Sequence, residues 1–294
     1  MIKWKGIVWS VHPLFVFIMG ASFLTGYLIE LATLFLIVLV HEIGHVVAAR
    51  SFGWQLREVK LLPFGGVLEV DNHSGVSAKE DAIVAVAGPL QNAWMGLAAW
   101  GLGQLGWWES DWAGFIVKAN LAIGLFNMLP IYPLDGGKLL QAGLSKLLNY
   151  YTTMVWSARI SLTCSALMLL YAVVPALAGI RGIQLNLAVV GLFLWFTNWT
   201  YSRNIPFLFY RFLMHRERLA EPKLAGETAA LPIVAGGRQT LMQVAKQFWR
   251  DRYHYVYLKG RGGAVEKVVP EQQIIERLLT ERNPNRPLLE LFLP

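Results

Sequence analysis

His41, Glu42 and His45 stand in the run VLVHEIGHVVAAR, residues 38–50. On a helix, positions i and i+4 share one face about a turn apart, so both imidazoles are able to point at one metal ion. Glu42 is rotated by about 100° from His41. It borders such an ion without ligating it, which is where a general base for a bound water belongs. The pattern H-E-x-x-H therefore has the mechanics of metal-assisted hydrolysis. Zn²⁺ lowers the pKa of a bound water to about 7, and a neighbouring carboxylate takes the proton. The run is otherwise strongly apolar. Ionisable groups inside such a segment cost on the order of several kcal/mol together. A metal removes that cost and a packing role does not.

A catalytic zinc takes a third protein ligand and leaves a further position open. The other histidines are His12, His73, His215 and His254. His215 and His254 lie in the polar C-terminal part, and His73 lies in a polar loop. His12, in SVHPLF, reads as interfacial, with a gating or metal-proximal role as the alternative. The better third ligand is Asp135, in NMLPIYPLDGGKLL, residues 127–140. Taken alone, Asp135 could equally end a helix in the turn PLDGG. Gly136 and Gly137 permit close backbone approach or a non-helical turn. Asn127 is polar within an apolar span. It either hydrogen-bonds a neighbouring helix or meets the backbone of a bound peptide.

These residues need elements to hold them, and composition says which kind. Of 294 residues, 55% are hydrophobic and 15% are charged. Soluble domains carry about 25% charged residues. An integral membrane protein follows. Apolar runs of spanning length fall near 11–26, 29–50, 81–105, 113–133, 156–178 and 183–201. The first is short and could be tilted or partly interfacial. Lys3 and Lys5 precede an apolar stretch without a small-residue cleavage site, so that stretch reads as a retained anchor.

Lysine and arginine placement orients the spans. Lys3, Lys5, Arg50, Arg57, Lys60, Lys79, Lys138, Lys146 and Arg159 favour the cytosolic side, and Arg181 alone opposes. Six spans with both termini in the cytosol satisfy this bias. Trp107, Trp108 and Trp112 then form an outer interfacial belt. The same orientation brings Asp135 and the histidine pair to one membrane depth.

Residues 57–72, REVKLLPFGGVLEVDN, place apolar β-formers on both sides of Pro63-Phe64-Gly65-Gly66. They predict a β-hairpin, dipping into the membrane or lying on its surface. A protease cutting a membrane helix must hold its substrate extended, and a strand edge does this through main-chain bonds. Phe64, Gly65 and Leu68 are accordingly candidate substrate-binding residues.

Residues 201–226 are basic and mixed and read as a helical juxtamembrane linker ended by Pro222 and Gly226. Residues 227–294 read as a small α/β domain. LPIVAG and YHYVYLKG predict strands, and TLMQVAKQFWRD and PEQQIIERLLTE predict amphipathic helices. The net charge is +7, with much of the excess after residue 200, which favours anionic lipid or an acidic partner. No recognition motif points to nucleic acid. Cys164 is the single cysteine, which excludes an intrachain disulfide and a multi-cysteine metal site.

HEIGH at 41–45, the Gly65-Gly66 hairpin, AGPLQN at 87–92 and NMLPIYPLDGGK at 127–138 together resemble the site-2 proteases, which are intramembrane zinc metalloproteases. The likeness covers essentially the whole membrane region. It implies His41, His45 and Asp135 as zinc ligands and Glu42 as the catalytic base. Asn127 and Pro133 join the candidate substrate-binding group, although MLPIYPL between Asn127 and Asp135 varies from the family's usual NPDG-type segment. Within the family, the layout with a cytosolic tail is most similar to a sporulation branch. That branch implies removal of the pro-sequence from the sigma-K precursor, in the mother-cell membrane around the forespore, with inhibitory membrane proteins as partners. The tail resembles a single cystathionine-β-synthase (CBS) domain, of a type that often binds ATP or other adenine nucleotides. One copy per chain implies pairing between subunits, hence a homo-oligomer.

The fold class expected is thus a polytopic α-helical membrane protein with a membrane-associated β-hairpin and a small C-terminal α/β CBS-like domain. Its expected limits are 1–200, 201–226 and 227–294. Other readings remain for the buried ionisable groups. A metal transporter also lines its path with histidine and acidic groups. It spreads them over several helices and has no need of Glu42. A nucleotide-regulated, non-catalytic scaffold held by a metal is the other alternative.

Overall fold

An apolar run of spanning length leaves its backbone no partner but itself, and Leu28–Ser51 is accordingly one helix of 24 residues. The computed structural model describes residues 2–4, 7–11, 13–62, 65–70, 76–180, 182–216, 230–260, 263–281 and 286–292. Those residues fall in two compact units, Met1–Leu139 and Leu140–Pro294. His12, Phe64, His73 and the linker end around Pro222 and Gly226 lie outside the described residues.

The first unit opens with strands β1, Ile2–Trp4, and β2, Ile7–Val11. Helices α1, Pro13–Thr25, and α2, Leu28–Ser51, follow, with the turn between them at Gly26, φ 81°. Strands β3, Leu56–Leu62, and β4, Gly65–Val70, form the predicted hairpin. Helices α3, Ala78–Gln104, and α4, Ser110–Asn127, complete the unit. Helix α5, Asp135–Leu144, crosses the boundary between the units.

The N-terminal segment departs from the sequence reading. Residues assigned to the approach of an anchor pair instead as a β1–β2 hairpin, and β2 runs parallel to β3. The result is a four-stranded sheet, order β1-β2-β3-β4, rather than a lone hairpin. The alternation in IKWKGIVWSV is that of a strand pair, masked in hydropathy by the apolar residues that follow. Helix α1 has 13 residues. At 1.5 Å per residue it is about 20 Å long, short of a hydrocarbon core of about 30 Å.

Among the described residues, helices α2, α3 and α6, the last being Tyr150–Leu177, are long and apolar enough to cross a membrane. Ser77 caps α3 by accepting from the Glu80 amide at 3.2 Å. Helices α2, α3 and α4 meet around Ile37, Ala99, Ile116 and Ala119. At Gly44 of α2, a side chain would meet the Ala87 carbonyl oxygen at 2.6 Å. Only glycine lets α2 and α3 approach this closely, and that approach sets the position of everything on their facing surfaces.

In the second unit, α6 packs against α7, Leu185–Arg216, through Met154, Ala158 and Ile205. Asn149 caps α6 by accepting from the Thr152 amide at 2.9 Å. The tail follows as β5, Leu231–Gly236; α8, Leu241–Ala245; β6, His254–Lys259; β7, Val265–Pro270; α9, Glu271–Thr280; and α10, Leu288–Phe292. Its sheet has the order β5-β6-β7, with β5 parallel and β7 antiparallel to β6. Strand β7 is not predicted from the sequence, since VEKVVP carries two adjacent charges, Glu266 and Lys267, which break the alternation of a half-buried strand. Helix α8 covers only part of the predicted TLMQVAKQFWRD.

Helix α7 does not end at the polar boundary near residue 200. It continues to Arg216, and Phe209, Phe212 and Leu213 share one core with Ile233, Leu241, Phe248, Leu258, Ile274 and Leu288 of the tail. Arg216 closes this junction. Its Nε donates to Glu271 Oε1 at 2.8 Å, and its Nη1 donates to the Trp249 carbonyl at 2.7 Å. His254 Nε2 accepts from the Trp249 amide at 3.2 Å, so its Nδ1 carries the proton given to Glu271 Oε2 at 2.8 Å. Burial alone would raise the Glu271 carboxyl, but the His254 hydrogen bond and the Arg216 charge outweigh it and hold the group below its ordinary value.

Candidate metal centre

The histidine pair sits where α2 runs against α3. His41, His45 and Glu42 are 2%, 4% and 6% exposed, so their polar atoms must find partners inside the protein. His45 Nδ1 lies 2.7 Å from the Val84 carbonyl of α3. A carbonyl only accepts, so Nδ1 carries the ring proton and Nε2 presents a bare lone pair. His41 Nδ1 lies 2.5 Å from Asn92 Oδ1, also on α3.

Asp135 arrives from the other side, at the start of α5. The segment before it is drawn tight against the backbone. A side chain at Gly136 would meet the Met128 oxygen at 2.2 Å, and one at Gly137 would meet the Ile131 carbonyl carbon at 2.5 Å. This close folding, permitted by the two glycines, aims the carboxylate inward, where Asp135 is 4% exposed. Its Oδ1 accepts from Lys138 Nζ at 3.1 Å. Its Oδ2 lies 3.2 Å from His41 Nε2 and 3.1 Å from His45 Nε2. The two Nε2 atoms are themselves 3.1 Å apart.

Three atoms with lone pairs thus converge on one point, which is unfavourable unless a cation stands between them. A tetrahedral ion with ligands at 2.0–2.2 Å holds them roughly 3.3–3.6 Å apart. The observed separations come within a few tenths of an ångström of that. Two imidazole nitrogens and a carboxylate oxygen form a donor set suited to zinc. His41, His45 and Asp135 are the residues that could hold it.

Gly88 makes the space. A side chain there would stand 2.2 Å from His45 Nε2 and 2.6 Å from His41 Nε2. The glycine of AGPLQN therefore leaves room for the imidazole tips at the α2–α3 contact. Neither Gly88 nor Asn92 is assigned a role by the sequence alone. The signal for Asn92 was present, because a buried amide in an apolar helix raises the same question as a buried histidine. Lys138 counted only as a topological charge.

The structure brings Glu42 beside this cluster, one residue along α2 from His41. The substrate-side predictions lie on separate elements. Asn127 ends α4 and donates from Nδ2 to the Ile123 carbonyl at 3.1 Å. Pro133 is half-buried and follows a cis peptide bond from Tyr132. Gly65 and Leu68 lie on β4, opposite Leu62 and Val59 of β3, and β4 runs beside α2.

Known proteins match this arrangement. Residues 29–109 and 104–171 match peptidase family M50. Over its whole length the chain is 31% identical to stage IV sporulation protein FB of Bacillus subtilis, and it covers all of that relative. It is 28% identical to a zinc metalloprotease of Methanocaldococcus jannaschii, over 67% of this chain and 58% of that one. The solved structure of a site-2 protease from the same archaeon superposes with a TM-score of 0.53 at 26% identity, over 69% of this chain and 94% of that one.

Proposed function

The chain belongs to peptidase family M50, and from that premise we propose that it cuts peptide bonds at a zinc ion held by His41, His45 and Asp135, with Glu42 as general base. The observation that carries this reading is the convergence of His41 Nε2, His45 Nε2 and Asp135 Oδ2 at 3.1–3.2 Å from one another. The chemistry that bound zinc supplies is Lewis acidity, which polarises the peptide carbonyl and makes water a nucleophile near neutral pH. Glu42 handles the protons: its carboxylate takes one from the attacking water and returns it to the leaving amine. The Nδ1 protons of His41 and His45 are directed at Asn92 and Val84, which leaves both Nε2 lone pairs for the metal. Burial of these side chains keeps their fields strong at the reacting bond.

Strand β4 is an edge of its sheet among the described residues, paired to β3 alone. That supports main-chain pairing of an extended substrate with β4, with Phe64, Gly65, Leu68, Asn127 and Pro133 as the proposed contacts. The substrate proposed is the pro-sequence of a membrane-associated, sigma-K-type precursor. The full-length likeness to a sporulation protein supports it, as does the basic C-terminal part. The mother-cell membrane around the forespore is the proposed location, and inhibitory membrane proteins are the proposed restraint.

Helices α2, α3 and α6, long and apolar enough to cross a membrane, support a membrane domain over 1–200; the proposed six-span count adds α4, α7 and the short α1 as a tilted or partly interfacial element, and the lysine and arginine bias is the ground for cytosolic termini. The order β5-α8-β6-β7-α9 supports a CBS-like reading of 227–294; the proposed linker at 201–226 would begin within α7, and pairing between copies and an adenine nucleotide as ligand are further proposals that follow from the CBS-like reading alone. A change in cleavage rate on adding ATP to the purified full chain tests that last element.

The deciding experiment is coexpression with a sigma-K precursor, read by gel mobility. The native protein shortens the precursor. Glu42→Gln keeps its zinc and leaves the precursor whole. A Glu42→Gln protein that still processes the precursor fully overturns the assignment, and a metal transporter or scaffold would be indifferent to this substitution.

A further inference from the structure

Helix α3 carries Asn92 and α4 carries Asn120, and both side chains are buried, at 3% and 1% exposure, beside the histidine pair of α2. Asn120 Nδ2 donates to the Ile116 carbonyl at 3.0 Å. That carbonyl accepts only, so the Asn120 amide is oriented with Oδ1 toward Asn92. Asn92 Nδ2 donates to this oxygen at 3.2 Å. Asn92 Oδ1 is then the atom facing His41 Nδ1, at 2.5 Å. An oxygen with no hydrogen must receive one, so Nδ1 of His41 is the protonated nitrogen and Nε2 is left bare toward His45 and Asp135.

We propose that Asn92 and Asn120 are a two-amide relay that fixes the tautomer of His41, making both of them positioning residues for zinc binding. The inference rests on the ligand assignment above and extends it to residues that touch no substrate. The two histidines reach the same state by different routes. His45 is set directly by a backbone carbonyl at Val84, which no side-chain substitution removes. His41 depends on side chains from two further helices, and its state is dictated at the far end by the Ile116 carbonyl. A simple packing role for the asparagines would satisfy their amides in either orientation. The chain of directed bonds ending on a ring nitrogen is what selects one.

The test is the zinc dissociation constant of the purified full-length protein, by competition with a chromophoric chelator. Asn120→Leu removes the far acceptor and frees the Asn92 amide to turn its NH₂ toward His41, which places a proton on Nε2. Outer partners of metal-bound histidines are worth about 10–100-fold in affinity, and a weakening of that size is expected. Adding Asn92→Asp to Asn120→Leu should restore binding, because a carboxylate only accepts from Nδ1 and needs no Asn120 to orient it. A role confined to packing predicts the reverse, since the double variant buries a carboxylate. Asn120→Leu binding zinc like the native protein, or a double variant no tighter than Asn120→Leu, overturns the relay. His41→Ala is the control for the ligand set: native affinity there overturns the ligand assignment and the relay with it. Weakened binding in His41→Ala beside native binding in Asn120→Leu overturns the relay alone. Where Asn120→Leu does not fold, nitrogen-15 NMR of histidine-labelled native protein without zinc decides. A protonated Nδ1 on His41 supports the relay, and a protonated Nε2 overturns it.

Discussion

A methyl group on Gly88 would stand 2.2 Å from Nε2 of His45. Helix α3 passes the histidine pair so closely that its backbone forms one wall of the metal centre. Gly88→Ala is therefore expected to displace the imidazoles and empty the site. Displacements near 1 Å cost about 100-fold in activity or more. Zinc content per purified chain, measured beside peptide cleavage, checks this. Full zinc and full cleavage in Gly88→Ala would show that the helices have room to part.

The segment before Asp135 makes the same kind of demand on backbone rather than on side chains. Gly136→Ala would press on the Met128 and Leu129 carbonyls at 2.2 and 2.4 Å and should tilt Asp135 away from the histidines, with loss of zinc. Gly114 of α4 has nothing within 4 Å of where a side chain would be placed. Gly114→Ala should keep native zinc and native cleavage, and a small gain in stability follows from helix propensity. Measuring both variants side by side separates crowding at the centre from a general intolerance of substitution in the helices.

In the tail, Arg216 and Glu271 are buried together, and removing one strands the other. Arg216→Ala should cost about 3–5 kcal/mol at the junction of α7 with the tail core. The folded Glu271 carboxyl lies below its ordinary value, so the unfolded chain binds the proton more readily. Its contribution to stability is complete above about 4.5, the ordinary value, and is lost as pH falls through the lower folded value. Glu271→Gln removes this dependence. Hydrogen exchange of β6 at matched pH, native against Glu271→Gln, reads it: the native advantage should shrink on acidification. An advantage that holds through that range would place the stabilisation elsewhere.

What could be read from the sequence followed the cost of burial. His41, Glu42, His45 and Asp135 were legible because ionisable groups in apolar segments require a reason, and one ion supplies it. The spacing of the histidines gave their shared face, and the lysine and arginine bias was the ground for expecting Asp135 to meet them, as it does. The hairpin over residues 57–72 was legible from Pro and Gly between β-formers. Four kinds of feature were not. The β1–β2 hairpin was hidden because short strands beside an apolar helix add to the same hydropathy. Strand β7 was hidden because the adjacent charges Glu266 and Lys267 interrupt the apolar alternation of a short edge strand. Gly88 and the partner of Asn92 were hidden because they are matters of contact between helices, and helix-to-helix register is not written in the period of either one. Helix α7 ran past its expected end because Phe209, Phe212 and Leu213 bury against the tail, a partner that local pattern does not reveal.

The central claim is that His41, His45 and Asp135 hold one catalytic zinc ion. The most direct measurement is metal analysis of the purified full-length protein and of Asp135→Ala, each taken with its cleavage of a precursor substrate. The expected result is tightly held zinc in the native protein, and its loss together with cleavage in Asp135→Ala. Native protein that cuts its substrate while holding no tightly bound metal, or an Asp135→Ala protein that keeps both zinc and activity, would contradict it.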